Sequence, residues 1–208
     1  MKKVIIFGDK DFAQMACSYF AHEDKVDVVG FTVNKSHLKQ NTFCGKKVVE
    51  FEKLNIHFPP FSHYLFAPIS DTKLREKIFN EGRKKGYRFL SYISHKCTNY
   101  AKSIGENCFI QEDNTLQFFT TIGNNVVLWA GNHIGHHSVI EDNVTITSHV
   151  VISGHCTVKK YAYLAVNSTV RDNVTIGEGC TIGMSASVIK NTEDNKVYIG
   201  IPAKEYVH

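Results

Sequence analysis

From Ile104 to Val188 an aliphatic residue returns every six positions: Ile104, Ile110, Leu116, Ile122, Leu128, Ile134, Ile140, Ile146, Ile152, Val158, Leu164, Val170, Ile176, Ile182 and Val188. Ile, Leu and Val fill about 0.3 of this stretch, so an unbroken run of that length arises by chance at only ~10⁻⁷. A period of six fits neither a straight helix nor a half-buried hairpin strand. It fits a parallel β-helix, in which each hexad supplies one short strand and one corner. The aliphatic fills the prism interior. The residue four places later is compact throughout (Cys108, Asn114, Thr120, Val126 and on to Ala186), as the tight space beside a corner demands. Three hexads close one triangular coil, so residues 18 apart stack at the strand spacing of ~4.8 Å. The repeat predicts about five coils over residues 104–190. The pattern then fails at Lys190-Asn191-Thr192-Glu193-Asp194, and residues 191–208 are expected to cap the open end, as a repeat protein requires.

Residues 1–94 have a different rhythm. Lys3-Val4-Ile5-Ile6-Phe7 is a short apolar run that stops at Gly8, which reads as a buried parallel strand. Asp11 to Ala21 follows with apolar residues at helical spacing, then strands at Val26–Val33, Val48–Phe51 and Tyr64–Ala67. A charged helix from Asp71 to Lys85 comes next, and Tyr87 to Ile93 closes the unit. Alternating strands and helices with short connections predict an α/β domain around a parallel sheet. Residues 95–103 read as a linker to the β-helix.

Composition excludes several classes. Of 208 residues, 43% are hydrophobic and 21% charged, the balance of a globular chain rather than a disordered one. No run approaches the ~18 apolar residues of a membrane span, and MKKVIIFGDKDF lacks the apolar core of a signal peptide, so a cytoplasmic location is expected. The six cysteines form no CxxC pair and read as reduced thiols. A net charge of +4 suits anionic small ligands and is too weak to argue for nucleic acid.

One stretch carries candidate chemistry. Asn132-His133-Ile134-Gly135-His136-His137 is the dense histidine group of the repeat, and His136 falls two residues after an interior aliphatic, where it points outward. Gly154 is 18 residues further on and so stacks on His136 in the next coil. A glycine there lets a ligand approach the backbone, and its N–H is placed to face an oxyanion formed beside the imidazole.

Hexapeptide repeats that end in Tyr198-Ile199-Gly200-Ile201-Pro202-Ala203-Lys204 resemble the left-handed β-helix acyltransferases. With a Rossmann-like domain in front, the chain resembles the acetyltransferases of nucleotide-linked amino sugars, of the bacillosamine and perosamine type, and shares its layout with the sialic acid O-acetyltransferase group. The resemblance implies acetyl-CoA as donor, a nucleotide-linked sugar as acceptor, a homotrimer with active sites between neighbouring prisms, and no metal. It implies His136 as general base and Gly154 as oxyanion donor, with direct transfer, since the stacking rule places no cysteine beside the histidine. Thr145, Val166 and Met184 match the positions that meet acetyl-CoA.

The turn Gly8-Asp9-Lys10, with Asn34 after the second strand, matches the site for the nucleotide, although Gly8 also reads simply as a turn residue. Two positions depart from the family. His137 stands where many members carry an acidic residue that would raise the basicity of the histidine before it. Trp129 stands where Asn is common, and reads equally as part of an altered sugar pocket or as interface packing. Three other functions stay open: sugar O-acetylation, a metal enzyme built on His137 and His155 with His133 or His149, and a non-catalytic assembly module.

Overall fold

The computed structural model describes residues 1–22 and 25–207 and divides them into two compact units, Met1–Leu90 and Ser91 onward. The first unit contains β1 (Lys2–Phe7), α1 (Asp11–Ala21), β2 (Val26–Val33), β3 (Thr42–Phe43), β4 (Lys46–Glu50), α2 (Leu54–His57), β5 (His63–Phe66), α3 (Thr72–Lys84) and β6 (Arg88–Phe89). The sheet order is β3-β4-β2-β1-β5-β6, parallel except for the β3–β4 hairpin. The chain thus runs outward from β1 to β2 and β4, then returns to β1's other side as β5. That reversal is the switch point at which open α/β sheets bind ligands beyond the carboxyl ends of their strands. The apolar run Val4–Phe7 is buried, and Ile5, Phe7, Val49, Phe51, Leu65, Ile78 and Phe89 pack into one core.

The second unit is a left-handed parallel β-helix of two-residue strands arranged on three faces. The first face stacks Tyr92–Ile93, Phe109–Ile110, Val127–Leu128, Thr145–Ile146, Tyr163–Leu164 and Thr181–Ile182. The second runs from Thr98–Asn99 through His133–Ile134 and Val151–Ile152 to Ser187–Val188, and the third from Ser103–Ile104 to Thr175–Ile176. Register is 18 residues, as in His133↔Val151. The interior aliphatics from Ile110 to Val188 are almost wholly buried. Removing each from water contributes about 1.5–3 kcal/mol.

Corners repeat as faithfully as strands. In each hexad the third residue after the aliphatic takes a positive φ, from Asn107 (φ 57) to Ser185 (φ 55). Asn tolerates this left-handed region best among residues that carry a side chain, and it holds this corner at 107, 125, 143, 167 and 173. The amides of Asn107, Asn125 and Asn143 form a ladder with 2.9 Å bonds.

The expected linker at 95–103 is replaced by structure. Tyr92–Ile93, Thr98–Asn99 and Ser103–Ile104 form a first coil, so the β-helix begins at 92 rather than 104, and Tyr92–Ile93 leaves the α/β unit. Two irregularities hide this coil from a search for a period of six. Asn99 takes an aliphatic position, and register there falls to 17 (Thr98↔Thr115) because the next corner is one residue short. At the other end the polar stretch does cap the prism. Asn191 Oδ1, Thr192 Oγ1 and Asp194 Oδ1 accept the N–H groups of Thr175, Gly177 and Glu178 at 2.8–2.9 Å. Val197–Ile199 then adds to the first face and pairs with Lys204–Glu205.

Candidate active site

His136 and Gly154 meet at the corner between the second and third faces. A Cβ built on Gly154 would lie 2.7 Å from His136 Cε1 and 2.8 Å from Nε2, so the imidazole rests on the glycine backbone. Gly154 has no positive φ, so this position excludes a side chain by space, not by conformation. Its N–H donates to no group among the described residues, and the reason lies one coil back. The N–H of His136 donates to Gln117 Oε1 at 2.9 Å and that of Lys160 to Glu141 Oε2 at 3.0 Å, in each case to a side chain 19 residues earlier. For Gly154 that position is Gly135. A Cβ on Gly135 would sit 2.6 Å from Gly154 N, over the amide that is left open.

The backbone of His136 is fixed on both sides, with its N–H on Gln117 and its carbonyl accepting from His155 N at 2.9 Å. Its Nδ1 lies 3.0 Å from His137 Nδ1. His137 therefore stands where an acidic neighbour would orient the base, and it can do so as a neutral acceptor. His137 and His155 are both left-handed corner residues (φ 62 and 58), and their rings stack at 4.8 Å with 12° between planes. Phe119 extends the stack on the other side at 4.7 Å, and Tyr100 stacks on Phe118 at 4.5 Å. Tyr100, Phe118 and Phe119 are all more than half exposed.

His136, His137 and His155 each offer one ring nitrogen, and these lie within 4.8 Å of one another. This is not the triad the sequence proposed with His133 or His149. His133 lies on a strand, and His149 occupies the corner between the first and second faces, with its ring against Gly131.

The expected coenzyme residues lie elsewhere. Val166 and Met184 stack at the corner between the first and second faces, exposed, with N–H groups that donate to nothing among the described residues. Thr145 lies apart from them. It is 7% exposed on the first face, with its N–H given to Ala162 O at 3.0 Å. Trp129 is half-buried on the Val166 corner, not on that of His136. One prism therefore brings His136 to His137 and Gly154, but not to Trp129, Val166 or Met184.

The thiol nearest Gly154 in sequence is withdrawn from the site. Cys156, two residues beyond Gly154, is buried with Sγ on Arg171 O at 3.1 Å, and burial pushes its thiol up. Cys180 is buried and likewise raised by desolvation.

In the first unit, Gly8 and Asn34 follow β1 and β2, so the parallel sheet brings both to its carboxyl edge. Gly8 has φ 114, and a Cβ there would meet Ala13 Cβ at 3.3 Å, so glycine allows both the turn and the close approach of α1. Asp9 turns its carboxylate to Gln40 Nε2 at 3.3 Å. Lys10 is the exposed N-cap of α1, and no side chain caps the helix.

Sequence analysis gives Gln117 and Gly135 no role, although counting 19 residues back from the His136 and Gly154 amides identifies both.

Residues 119–154, which include both His136 and Gly154, match the bacterial transferase hexapeptide (six repeats) family. No curated protein matches the chain in sequence. Among solved structures, it is similar to the acetyltransferase domain of PglB from Neisseria gonorrhoeae FA1090 (TM-score 0.88, 17% identity, 99% of this chain and 100% of that one). It is also similar to PerB from Caulobacter crescentus in complex with CoA and GDP-perosamine (TM-score 0.87, 21% identity, 100% and 98%). WeeI from Acinetobacter baumannii AYE gives a TM-score of 0.87 at 20% identity, covering 99% and 100%. The chain has the fold of these three structures over nearly its whole length.

Proposed function

We propose that the chain transfers an acetyl group from acetyl-CoA to the amino group of a nucleotide-linked amino sugar. The observation that carries this reading is the His136 imidazole lying on the open Gly154 amide. Acyl transfer from a thioester needs a base beside an oxyanion donor, and this corner supplies both. Similar structures agree with it: PerB is in complex with CoA and GDP-perosamine, and the PglB domain with acetyl coenzyme A.

With the shared proton on His136 Nδ1 and donated to His137, the lone pair of His136 stands at Nε2. That nitrogen accepts a proton as the sugar amine attacks the thioester carbonyl. The new C–N bond leaves a tetrahedral oxyanion, which takes the Gly154 N–H. Collapse breaks the C–S bond, and the imidazolium returns its proton to the departing thiolate. His137 acts here as a positioning residue. The carboxyl edge of the first unit, with Gly8, Asp9, Lys10 and Asn34, receives the nucleotide.

The separation of His136 from Val166 and Met184 favours a homotrimer, in which a neighbouring copy brings its coenzyme corner to this histidine. The exposed Tyr100, Phe118 and Phe119 give that neighbour an apolar surface to cover. Among the described residues no helix is long and apolar enough to cross a membrane. Acetyl-CoA as donor places the reaction in the cytoplasm.

The test is thiol release from acetyl-CoA with nucleotide-linked amino sugars, run beside their hydroxy counterparts. Release with the amino sugars alone is expected, and His136→Asn is expected to lower kcat by about 10²–10⁴ with folding intact. A His136→Asn variant as fast as wild type overturns the assignment. Release with hydroxy sugars alone moves the reaction to O-acetylation.

A further inference from the structure

Three exposed imidazoles at one corner are more than the transfer needs. His136 is the base and His137 orients it, but His155 has no part in the reaction. We propose that His136, His137 and His155 form a binding site for a borderline transition-metal ion, of which Zn²⁺ is the type, and that the bound ion switches the transfer off.

The donor set selects the ion. Imidazole nitrogens suit Zn²⁺, Co²⁺, Ni²⁺ and Cu²⁺, whereas Mg²⁺ and Ca²⁺ require oxygen ligands. The distances suit a tetrahedral centre. Zn–N bonds of about 2.0–2.1 Å place two ligand nitrogens ~3.3 Å apart. His136 Nδ1 and His137 Nδ1 already lie at 3.0 Å. The widest separation in the trio is 4.8 Å, and all three side chains are exposed. Closing to ~3.3 Å asks only for rotation of surface rings. The position is also open to water as the fourth ligand, and an ion reaches it without disturbing the prism.

The cluster is specific to this corner. Corner residues at 137 and 155 stack by the 18-residue register, and His136 precedes the first of them. Elsewhere in the prism the same left-handed position carries Asn, Asp, Gly, Phe, Ser, Tyr or a single His.

Inhibition follows from the ring chemistry, and this part rests on the proposed transfer. An ion bound at Nδ1 takes the lone pair of that nitrogen, and the ring proton moves from Nδ1 to Nε2. Nε2 then holds a proton where it must accept one. The ion also replaces the hydrogen bond through which His137 orients the base.

The experiment uses the full chain stripped with EDTA and freed of chelator. Co²⁺ is titrated in while the d–d absorption of a tetrahedral centre is followed, and Zn²⁺ is then added in competition. His137→Asn and His155→Asn are the variants, because Asn already holds this left-handed corner at 125, 143, 167 and 173 and the fold accepts it there. One ion per chain is expected. Each variant loses a ligand and should bind more weakly by at least the about 10–100-fold that loss of an outer-shell partner costs. Zn²⁺ is expected to stop thiol release in the wild type and EDTA to restore it. In His155→Asn, measured against its own metal-free rate, the inhibiting concentration is expected to rise by the same factor as the binding constant.

Absence of the Co²⁺ band, or equal affinity in wild type and both variants, overturns the site. Zn²⁺ inhibition that is unchanged in His155→Asn overturns the switch. The Co²⁺ titration needs no turnover, so a chain that binds the ion but never releases thiol refutes the proposed transfer and leaves the site standing.

Discussion

Replacing Gly154 by Ala separates catalysis from folding at this corner. The added methyl would lie 2.7 Å from His136 Cε1, where ordinary contact begins at 3.4 Å, so the ring must retreat by about 0.7 Å. The backbone offers no resistance, because Gly154 does not use a positive φ, and the atoms that yield are the far end of an exposed side chain. Stability should therefore change by no more than about 0.5 kcal/mol. Catalysis has no such tolerance. A misplacement near 1 Å costs about 10²-fold in rate, or about 2.7 kcal/mol in the barrier. The Gly154 N–H remains in the variant, so the loss reports on the base and not on the oxyanion donor. Thiol release at saturating substrates gives kcat, and thermal unfolding of the same sample gives stability. A variant with wild-type kcat and an intact fold would refute the placement of His136 over Gly154 as the reacting geometry.

Other substitutions test other links. Gly135→Ala puts a methyl 2.5 Å from Ser153 C and 2.6 Å from Gly154 N, against backbone that cannot rotate away. It should therefore destabilise the chain by about 1–3 kcal/mol in denaturant unfolding, where Gly154→Ala does not. Ile152 is 0% exposed in the prism interior, and Ile152→Ala should cost about 2–5 kcal/mol in the same assay. Cys44 is exposed, whereas burial pushes Cys97 up to about 11 and raises Cys17, Cys156 and Cys180 as well. At pH 8 only about 10⁻³ of Cys97 is thiolate, so brief alkylation followed by mass spectrometry should find the adduct on Cys44. Once excess reagent is removed, the alkylated enzyme should retain its transfer rate, since the proposed transfer uses no thiol.

The prism was legible in the sequence because its period is rigid. Eighteen residues per coil turn a linear count into a spatial contact, and that count alone put Gly154 on His136. The same rigidity explains what was hidden. The first coil is one residue short and carries Asn99 in place of an aliphatic, so it passed for a linker although Ile93 and Cys97 pack on the core. In the α/β unit the β3–β4 hairpin could not be read, because Thr42–Phe43 has only two residues and no alternation to betray it. The burial of Thr145 was hidden for a different reason. Its position in the repeat is outward, yet it is 7% exposed, and burial depends on packing that a repeat position does not encode.

A repeat makes every hexad equivalent, so chemistry has to be carried by the departures from it. At this corner the His136 N–H goes to the Gln117 side chain of the coil before, whereas Gly135 offers the Gly154 N–H no side chain and leaves it open. Corners favour Asn, until His137 and His155 bring imidazoles into line. Neither departure alone makes a site. A bare amide stabilises nothing without a base beside it, and a histidine pair on a polar surface does no chemistry without a place for the oxyanion. Their coincidence one coil apart, with His136 between them, supplies both. The corner at Val166 and Met184, proposed above for the coenzyme, offers exposed apolar side chains and open amides, and His136 stands on a different corner of the same prism. The proposed homotrimer answers that separation, because a neighbouring copy would bring its Val166 and Met184 corner to the His136 of this prism.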